Sequence, residues 1–394
     1  MFAYLFERFP AYTQTFCYRE VLEMERQNGT PFPIFSIRPC EGTPDEFPKG
    51  LLKKVTYLPE AAVVREEVKQ LRKKRKLPPP IARELDRDDR RDLLRVMEAA
   101  LLGPLLQAAG VSHVHVHFAG IASRTAYWLR RFYGISYSIT CHANDIFCKN
   151  DFALTPEEIF RNAAFLVTVA DFTKEWLLER HPGLAGKVHR VYNGIEPVDA
   201  GNAAAPGSAT PHLLSVGRCI PKKGFADLIE ACRLLRERGI DFRCTIVGEG
   251  PLRAELQEKV VALGLESVVA MPGPAPQARV QELLSQATLF VLACAVEPEG
   301  GMDCLPTVIA EAMMWGLPVV STRLAAVPEM VLDRQTGLLV EPHCPAELAG
   351  AIEEMLGNPA LAASYGVAGR AHAEREFSVV NTVAQLSRLL KEVK

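Results

Sequence analysis

Two carboxylates, Asp303 and Glu311, bracket Leu305-Pro306-Thr307, a sequence suited to opening a helix. Pro306 fits a first helical position, where its missing N–H costs nothing. The N–H groups of Leu305, Thr307 and Val308 would then point at a phosphate, helped by the helix dipole. Glu311 stands one helical turn beyond Thr307, between Ala310 and Ala312. A carboxylate there can accept both vicinal hydroxyls of a ribose; the plainer alternative is a solvated helix residue. Asp303, ahead of the helix, can reach the hydroxyls of a sugar. Gly316 is a good helix stop, and an apolar strand follows at Pro318–Ser321. Loop, helix start and buried strand together make a place for an anion and a polyhydroxylated ligand, as in a nucleotide sugar.

Further groups could serve the same ligand. Gly217-Arg218-Cys219-Ile220-Pro221-Lys222-Lys223-Gly224 follows an apolar run ending at Val216. Arg218 and a Lys held at the end of a strand could clamp a diphosphate. In Gly248-Glu249-Gly250-Pro251, glycines on both sides of Glu249 would let backbone approach a ligand. His142 and Asp145 close the apolar run Tyr137–Thr140. His113, His115 and His117 alternate with Val, so all three would share one face of a strand. At about 7 Å spacing they could not all reach one ion in a straight strand. No metal is expected there, and His117, nearest the strand end, is the one to reach a ligand. Between Arg8 and Phe16, Thr13 or Thr15 could cap a helix.

These residues need strand ends to sit on. Short apolar runs recur at Met1–Phe6, Phe32–Ile37, His113–His117, Tyr137–Thr140, Phe165–Val169 and Lys187–Val191. They recur again at His212–Val216, Arg243–Val247, Val268–Met271, Leu289–Ala293, Pro318–Ser321 and Gly337–Val340. Most are followed by helical pattern, the signature of parallel sheets with helices on both faces. The fold class is therefore α/β, with two doubly wound Rossmann-like domains. Residues 1–195 form the first and 212–376 the second. The breaker-rich stretch 196–211 reads as a linker. Ligands bind such sheets at the strand C-terminal ends, so the two domains are expected to face one another across a cleft. Residues 64–109 interrupt the rhythm and read as a charged helical insert, with Arg72-Lys73-Lys74-Arg75-Lys76 ahead of Pro78-Pro79-Pro80. The basic run is either a solvated helix face or a patch for an anionic membrane surface.

Composition narrows the class. The chain has 394 residues, too many for one ordinary core. It is 48% hydrophobic and 23% charged, with net charge −2, a balance that argues against non-specific nucleic-acid binding. No run is apolar and long enough to span a bilayer, and no secretory leader opens the chain, so a cytoplasmic location is expected. Ten Cys lack any Cys-x-x-Cys pair and read as reduced core residues.

Together these motifs resemble the retaining family-4 glycosyltransferases of GT-B fold, over nearly the whole chain. The flavour is similar to the colanic-acid and exopolysaccharide branch. It is carried by Phe9-Pro10 with Thr13-Gln14-Thr15-Phe16, by His115-Val116-His117-Phe118-Ala119, and by Cys141-His142-Ala143-Asn144-Asp145. The second half adds Gly217-Arg218 with Lys223-Gly224, Gly248-Glu249-Gly250-Pro251, and the Glu-x7-Glu motif ending at Glu311.

The resemblance implies that Arg218 and Lys223 bind the donor diphosphate, Glu311 the ribose and Asp303 the transferred sugar. It places His142 beside the reacting sugar, and Pro272-Gly273 reading the base through backbone groups. Thr13, Gln14, Thr15, His117 and Asp145 would line the cleft, against the acceptor or the donor phosphates. No cofactor and no metal are implied. The donor is a nucleotide diphosphate sugar, the acceptor a glycan or lipid-linked glycan, and the last helix, within 377–394, crosses back onto the first domain. Three departures stand out: Asp303 replaces the usual first Glu, Ala325-Ala326 replaces the common Gly-Gly, and Gln14 stands where Glu is frequent. The other readings are a sugar-nucleotide epimerase on the same fold and a non-catalytic nucleotide-sugar-binding protein.

Overall fold

The computed structural model describes residues 1–11, 14–42, 47–142, 144–147, 152–198, 210–297 and 300–393. The chain divides into two compact units, Met1–Gly194 with Thr382–Lys394, and Ile195–Asn381. Most of the stretch read as a linker, 199–209, lies outside the described residues.

The first unit holds seven strands: β1 (Phe2–Arg8), β2 (Ile34–Arg38), β3 (Val55–Tyr57), β4 (His113–His117), β5 (Ser136–Cys141), β6 (Leu166–Thr168) and β7 (Val188–Arg190). Their order is β3-β2-β1-β4-β5-β6-β7, every neighbour parallel. The second unit holds β8 (His212–Val216), β9 (Arg243–Val247), β10 (Val269–Gly273), β11 (Leu289–Leu292), β12 (Val319–Thr322) and β13 (Gly337–Val340). The order β10-β9-β8-β11-β12-β13 is again all parallel. Both sheets are doubly wound, so each has a switch point beside its first strand, where the order reverses.

Strands covered on both faces read as continuous apolar runs, and β11 (Leu-Phe-Val-Leu) is fully buried. β4 departs from this. Val114 and Val116 join the apolar core, while His113, His115 and His117 are equally buried on the other face. The parallel register sets His113 beside Ser136, His115 beside Ser138 and His117 beside Thr140. Polar residues of β4 thus meet hydroxyls of β5, which is how three histidines are tolerated inside a sheet.

The stretch 64–109 is not one charged insert. Ala61–Lys73 and Pro79–Leu85 are short, largely exposed helices, linked by an ion pair between Arg72 and Asp86 at 2.6 Å. Leu93–Ala108 is instead a core helix: Val96, Ala99, Ala100, Leu102 and Leu106 are buried in the first unit's main apolar cluster. It is the crossover helix that feeds β4. Its charged start and Pro104 hide that role in the sequence. β3 is an edge strand of three residues, none of them fully buried, and so lacks the apolar run that marks the others.

In the second unit, loops leaving neighbouring strands touch backbone to backbone. Gly248 has φ 156°, and a Cβ there would lie 1.7 Å from the carbonyl oxygen of Gly217. Gly224 has φ 62°, and its Cβ would lie 1.7 Å from the carbonyl oxygen of Ala293. Neither position accepts a side chain without pulling the loops apart. The N–H of Cys219 donates to Glu249 O (2.8 Å), that of Gly248 to Gly273 O (3.0 Å) and that of Ala295 to Lys222 O (3.0 Å). The ends of β10, β9, β8 and β11 are thereby tied into one rim. Gly224→Ala should cost roughly 2–3 kcal/mol in urea unfolding; an unchanged midpoint would show that the rim gives way freely.

Candidate functional site

The rim carries the basic loop read from the sequence. Pro221–Lys223 forms one 3-10 turn, and Gly224 then starts the helix Phe225–Glu237. That turn aims two lysines the same way. Lys222 Nζ lies 3.2 Å from one carboxylate oxygen of Asp303, and Lys223 Nζ lies 2.5 Å from the other. The side chains are about 6%, 12% and 15% exposed for Lys222, Lys223 and Asp303, so this is a largely buried triad. The stem of Lys223 crosses Gly217, where a Cβ would sit 3.1 Å from its Cδ and Cε. Gly217 is therefore the floor on which Lys223 lies.

Burial works against the charges of Lys223 and Asp303, and their partners outweigh it. Lys223 is raised by Asp303 despite its burial and the nearby Arg218 cation, and Asp303 is lowered by Lys223 and then Lys222. Lys223 and Asp303 are therefore both charged at neutral pH. Arg218, in the same loop, is exposed, and its charge acts on Lys223. Two cations face one carboxylate, and the Arg218 charge lies close to Lys223. The structure thus commits Asp303, read as a sugar contact, to two ammonium groups, and it adds Lys222, which the sequence reading left out. Two adjacent lysines give no sign in sequence of which one turns inward.

Cys304 and Leu305 are buried, and the helix Thr307–Met314 follows. Pro306 is its N-cap residue (φ −71°, ψ 94°), one position earlier than expected; the N–H of Ile309 donates to its carbonyl at 2.9 Å. By helix geometry the N–H groups of Thr307 and Val308 have no partner within the helix. Glu311 is buried at 6% exposure, which excludes the solvated reading. Gly248 and Gly250 serve the rim: a Cβ at Gly250 would meet Cys219 backbone at 2.6 Å. Glu249 is exposed, with Arg253 at 3.5 Å. Pro272 and Gly273 end β10 on the same edge. Ala325 adopts φ 48°, a left-handed conformation that favours Gly, and Ala326 N donates to Cys304 O at 3.3 Å.

In the first unit the candidates converge on His142, which follows β5 and is buried. His117 Nδ1 lies 3.1 Å from His142 Nε2, and His117 Nε2 lies 3.0 Å from Glu20 Oε1. Tyr4 donates to the same Glu20 oxygen at 2.7 Å. Burial alone would push His117 down; Cys17 and the Glu20 carboxylate beside it outweigh this and raise it to about 10. Burial, then the charge on His117, pushes His142 down. With His117 protonated, both its nitrogens donate: Nε2–H to Glu20 and Nδ1–H to His142. His142 must then accept at Nε2 and carry its own proton on Nδ1. Glu20 sits on the helix Thr15–Asn28 among other charged residues, and nothing in the sequence marks it out.

His115 is taken up by Ser138 (2.7 Å) and Thr140 (3.0 Å). One ligand atom each from Glu20, His115 and His117 nonetheless lies within 4.8 Å of the others. Asp145 proves to be a brace: its carboxylate accepts the N–H groups of His142 (3.1 Å) and Ala119 (2.9 Å), tying the loops after β5 and β4 together. Thr15 is the first residue of its helix rather than the cap. Gln14 is the N-cap residue but makes no side-chain cap. Thr13 and Ala143 lie outside the described residues.

Residues 204–372 match the family model described as glycosyl transferases group 1, and residues 60–198 match Glycosyltransferase Family 4. The amylovoran biosynthesis glycosyltransferase AmsK of Erwinia amylovora is 32% identical over 210 residues, 53% of this chain and 52% of that protein. The putative colanic acid biosynthesis glycosyltransferase WcaL of Escherichia coli K12 is 34% identical over 200 residues, 50% of this chain and 48% of that protein. The chain spans about half the length of these curated relatives in the match. HepE of Anabaena, solved with UDP, superposes with TM-score 0.76 over 100% of both chains at 16% identity. A glycosyltransferase of Rickettsia africae gives 0.74 over 99% of both chains at 17% identity. The two parallel, doubly wound units are those of the GT-B class. Within it, the chain belongs to the family-4 glycosyltransferases.

Two outcomes follow from this geometry. Ala325→Gly should stabilise the protein by roughly 0.5–1 kcal/mol in urea unfolding, because Gly adopts the left-handed conformation without strain. The second concerns pH. The folded-state pKa of His117 lies above its unfolded value of about 6.5, so its stabilisation is complete below that value and is lost as pH climbs through about 10. His117→Gln should therefore be less stable than the parent by a margin that is widest below about pH 6.5 and shrinks as pH rises toward about 10. A constant margin across a pH series of unfolding curves would contradict the charged state.

Proposed function

We propose that the protein transfers a sugar from a nucleotide diphosphate sugar to an acceptor hydroxyl, with retention at the anomeric carbon, in the building of an exopolysaccharide-type glycan. The observation that carries this reading is the pair of Lys222 and Lys223 on Asp303, with the Arg218 charge close to Lys223, at the C-terminal edge of the second sheet. One carboxylate leaves that group net positive, as a diphosphate requires. The buried Glu311 would take the ribose hydroxyls, the N–H groups of Thr307 and Val308 a phosphate oxygen, and backbone at Pro272-Gly273 the base. The relatives named above, and HepE with its bound UDP, point the same way.

In the reaction the acceptor oxygen bonds to the anomeric carbon on the face that the diphosphate leaves. The bond from that carbon to the diphosphate oxygen breaks, and the acceptor proton passes to the leaving diphosphate. The fixed cations stabilise the charge that builds there, so no carboxylate nucleophile and no metal is needed. His142 would donate its Nδ1–H to a hydroxyl of the transferred sugar. Gln14 and Thr15, with Thr13, would serve the acceptor. No helix among the described residues is long and apolar enough to cross a membrane. A lipid-linked acceptor would be met by peripheral attachment at the cytoplasmic surface through the Arg72–Lys76 run.

The test is a panel of UDP-, GDP- and ADP-sugars offered with and without glycan acceptors. Release of nucleotide diphosphate that depends on acceptor, unchanged by a chelator, supports the reading. Epimer without nucleotide release, or thermal stabilisation with no turnover, would replace it with an isomerase or a binding protein. Lys223→Ala and Arg218→Ala should each lower kcat by roughly 10²–10³.

A further inference from the structure

A second basic site lies in the first unit, apart from every residue used above. A cavity of about 450 Å³ is lined by Arg65, Arg90, Arg91, Arg95 and Arg124. It opens between two helix starts. Leu93 and Leu94 belong to the first turn of Leu93–Ala108, and Ile121 and Arg124 to the first turn of Ile121–Tyr133. Neither helix is closed by a side-chain cap. Both helices begin on the C-terminal side of the sheet, since one leads into β4 and the other leaves it.

The charges there do not cancel. Arg124 pairs with Asp92 at 2.5 Å, Arg91 with Asp89 at 2.8 Å, and Arg95 with Glu98 at 2.8 Å. Arg65 and Arg90 are exposed and have no carboxylate partner among the described residues. Two positive charges are left over. Arg95 supplies an independent sign of a missing ligand. It is only 6% exposed, and its Nη1 is buried with no hydrogen-bond partner among the described residues. A buried guanidinium N–H left unmade is costly, so an acceptor brought to Arg95 would be favoured. Glu7 and Arg38 stand nearby but pair with each other at 3.1 Å.

The remaining wall is apolar. Leu93, Leu94, Met97 and Ile121 line it, and the ring of Phe152 lies 3.3 Å from the guanidinium carbon of Arg124. Arginine pairs phosphate oxygens in a bidentate fork, while the apolar wall suits a hydrocarbon chain. We propose that this cavity seats the diphosphate of an amphiphilic diphosphate ester, with the apolar chain along Leu94, Met97 and Ile121. Naming that ester as the carrier of the acceptor glycan rests on the transferase reading; the affinity of the cavity for it does not.

The experiment is calorimetric titration of the full chain with geranyl diphosphate, inorganic pyrophosphate, geraniol and UDP. Geranyl diphosphate should bind at least about ten times more tightly than either pyrophosphate or geraniol, because both walls are used. Arg65→Ala with Arg90→Ala removes two exposed cations that make no ion pair among the described residues. This double variant should lose about ten-fold or more in affinity for geranyl diphosphate and keep its affinity for UDP. Equal binding of geranyl diphosphate by variant and parent would overturn the proposal. So would pyrophosphate binding as tightly as the ester, which marks a plain anion hole, or geraniol doing so, which marks a plain apolar groove. A protein that binds geranyl diphosphate as described but turns over no nucleotide sugar would keep this site and sink the transferase reading alone.

Discussion

One carboxylate holding two buried ammonium groups is the constraint around which the second unit is arranged. Taking an ion out of water costs several kcal/mol even after relaxation, and two like charges side by side add repulsion. Lys222 and Lys223 are tolerable there only because Asp303 lies between them. That fixes where the loop after β11 must run: it has to come back to the loop after β8. The close approach of Gly224 to Ala293 and the bond from Ala295 N to Lys222 O are how it does so. Gly217 leaves room for the stem of Lys223, and Gly248 lets the next loop lie against Gly217. The small residues of these motifs thus serve loop-on-loop packing first, and any approach to a ligand depends on it.

The first unit meets the same difficulty with different chemistry. A parallel sheet is dry on both faces, yet β4 brings three imidazoles into it. The hydroxyls of β5 satisfy His113 and His115 in register, and neutral pairs of this kind carry no net charge. At the strand end the pattern changes, because His117 meets His142 instead of a hydroxyl and Glu20 lies on its other side. A charge is then admitted, and it sets the proton position on His142. The ladder and the charged pair are one device: the first keeps β4 and β5 in register, and the second uses that register to orient one ring.

Most of the fold was legible because buried parallel strands are apolar throughout. Twelve runs stood out, while β3, short and at an edge, did not. The helix Leu93–Ala108 was folded into a charged insert because its neighbours are charged, although its own residues are core. In the site, legibility followed chain proximity. The Gly217–Gly224 loop and the Leu305–Glu311 helix start each announce themselves within one short segment. The pairing of Asp303 with Lys222 and Lys223 joins segments far apart in sequence, and so does that of Glu20 with His117. Such pairs depend on which side chains turn inward, and two neighbouring lysines or a string of helix acids give no hint of that. The left-handed Ala325 is the reverse case, where sequence shows a Gly-to-Ala departure and the backbone keeps the glycine conformation regardless.

The Asp at position 303 takes on a different sense from this geometry. As a sugar contact, a carboxylate one methylene short would be a weakened Glu. As a counter-ion it is part of the charge balance of the site. Arg218, Lys222 and Lys223 supply three positive charges, Asp303 one negative charge, and the diphosphate of a nucleotide sugar two more. A donor would therefore complete neutrality without displacing Asp303 from the lysines. Removing the carboxylate would leave the same cations over-charged for a diphosphate, and two ammonium groups buried beside each other with nothing between them. The departure from the usual Glu is then best understood through the lysines it holds, since in the proposed transfer their positions would decide how charge on a leaving diphosphate is met.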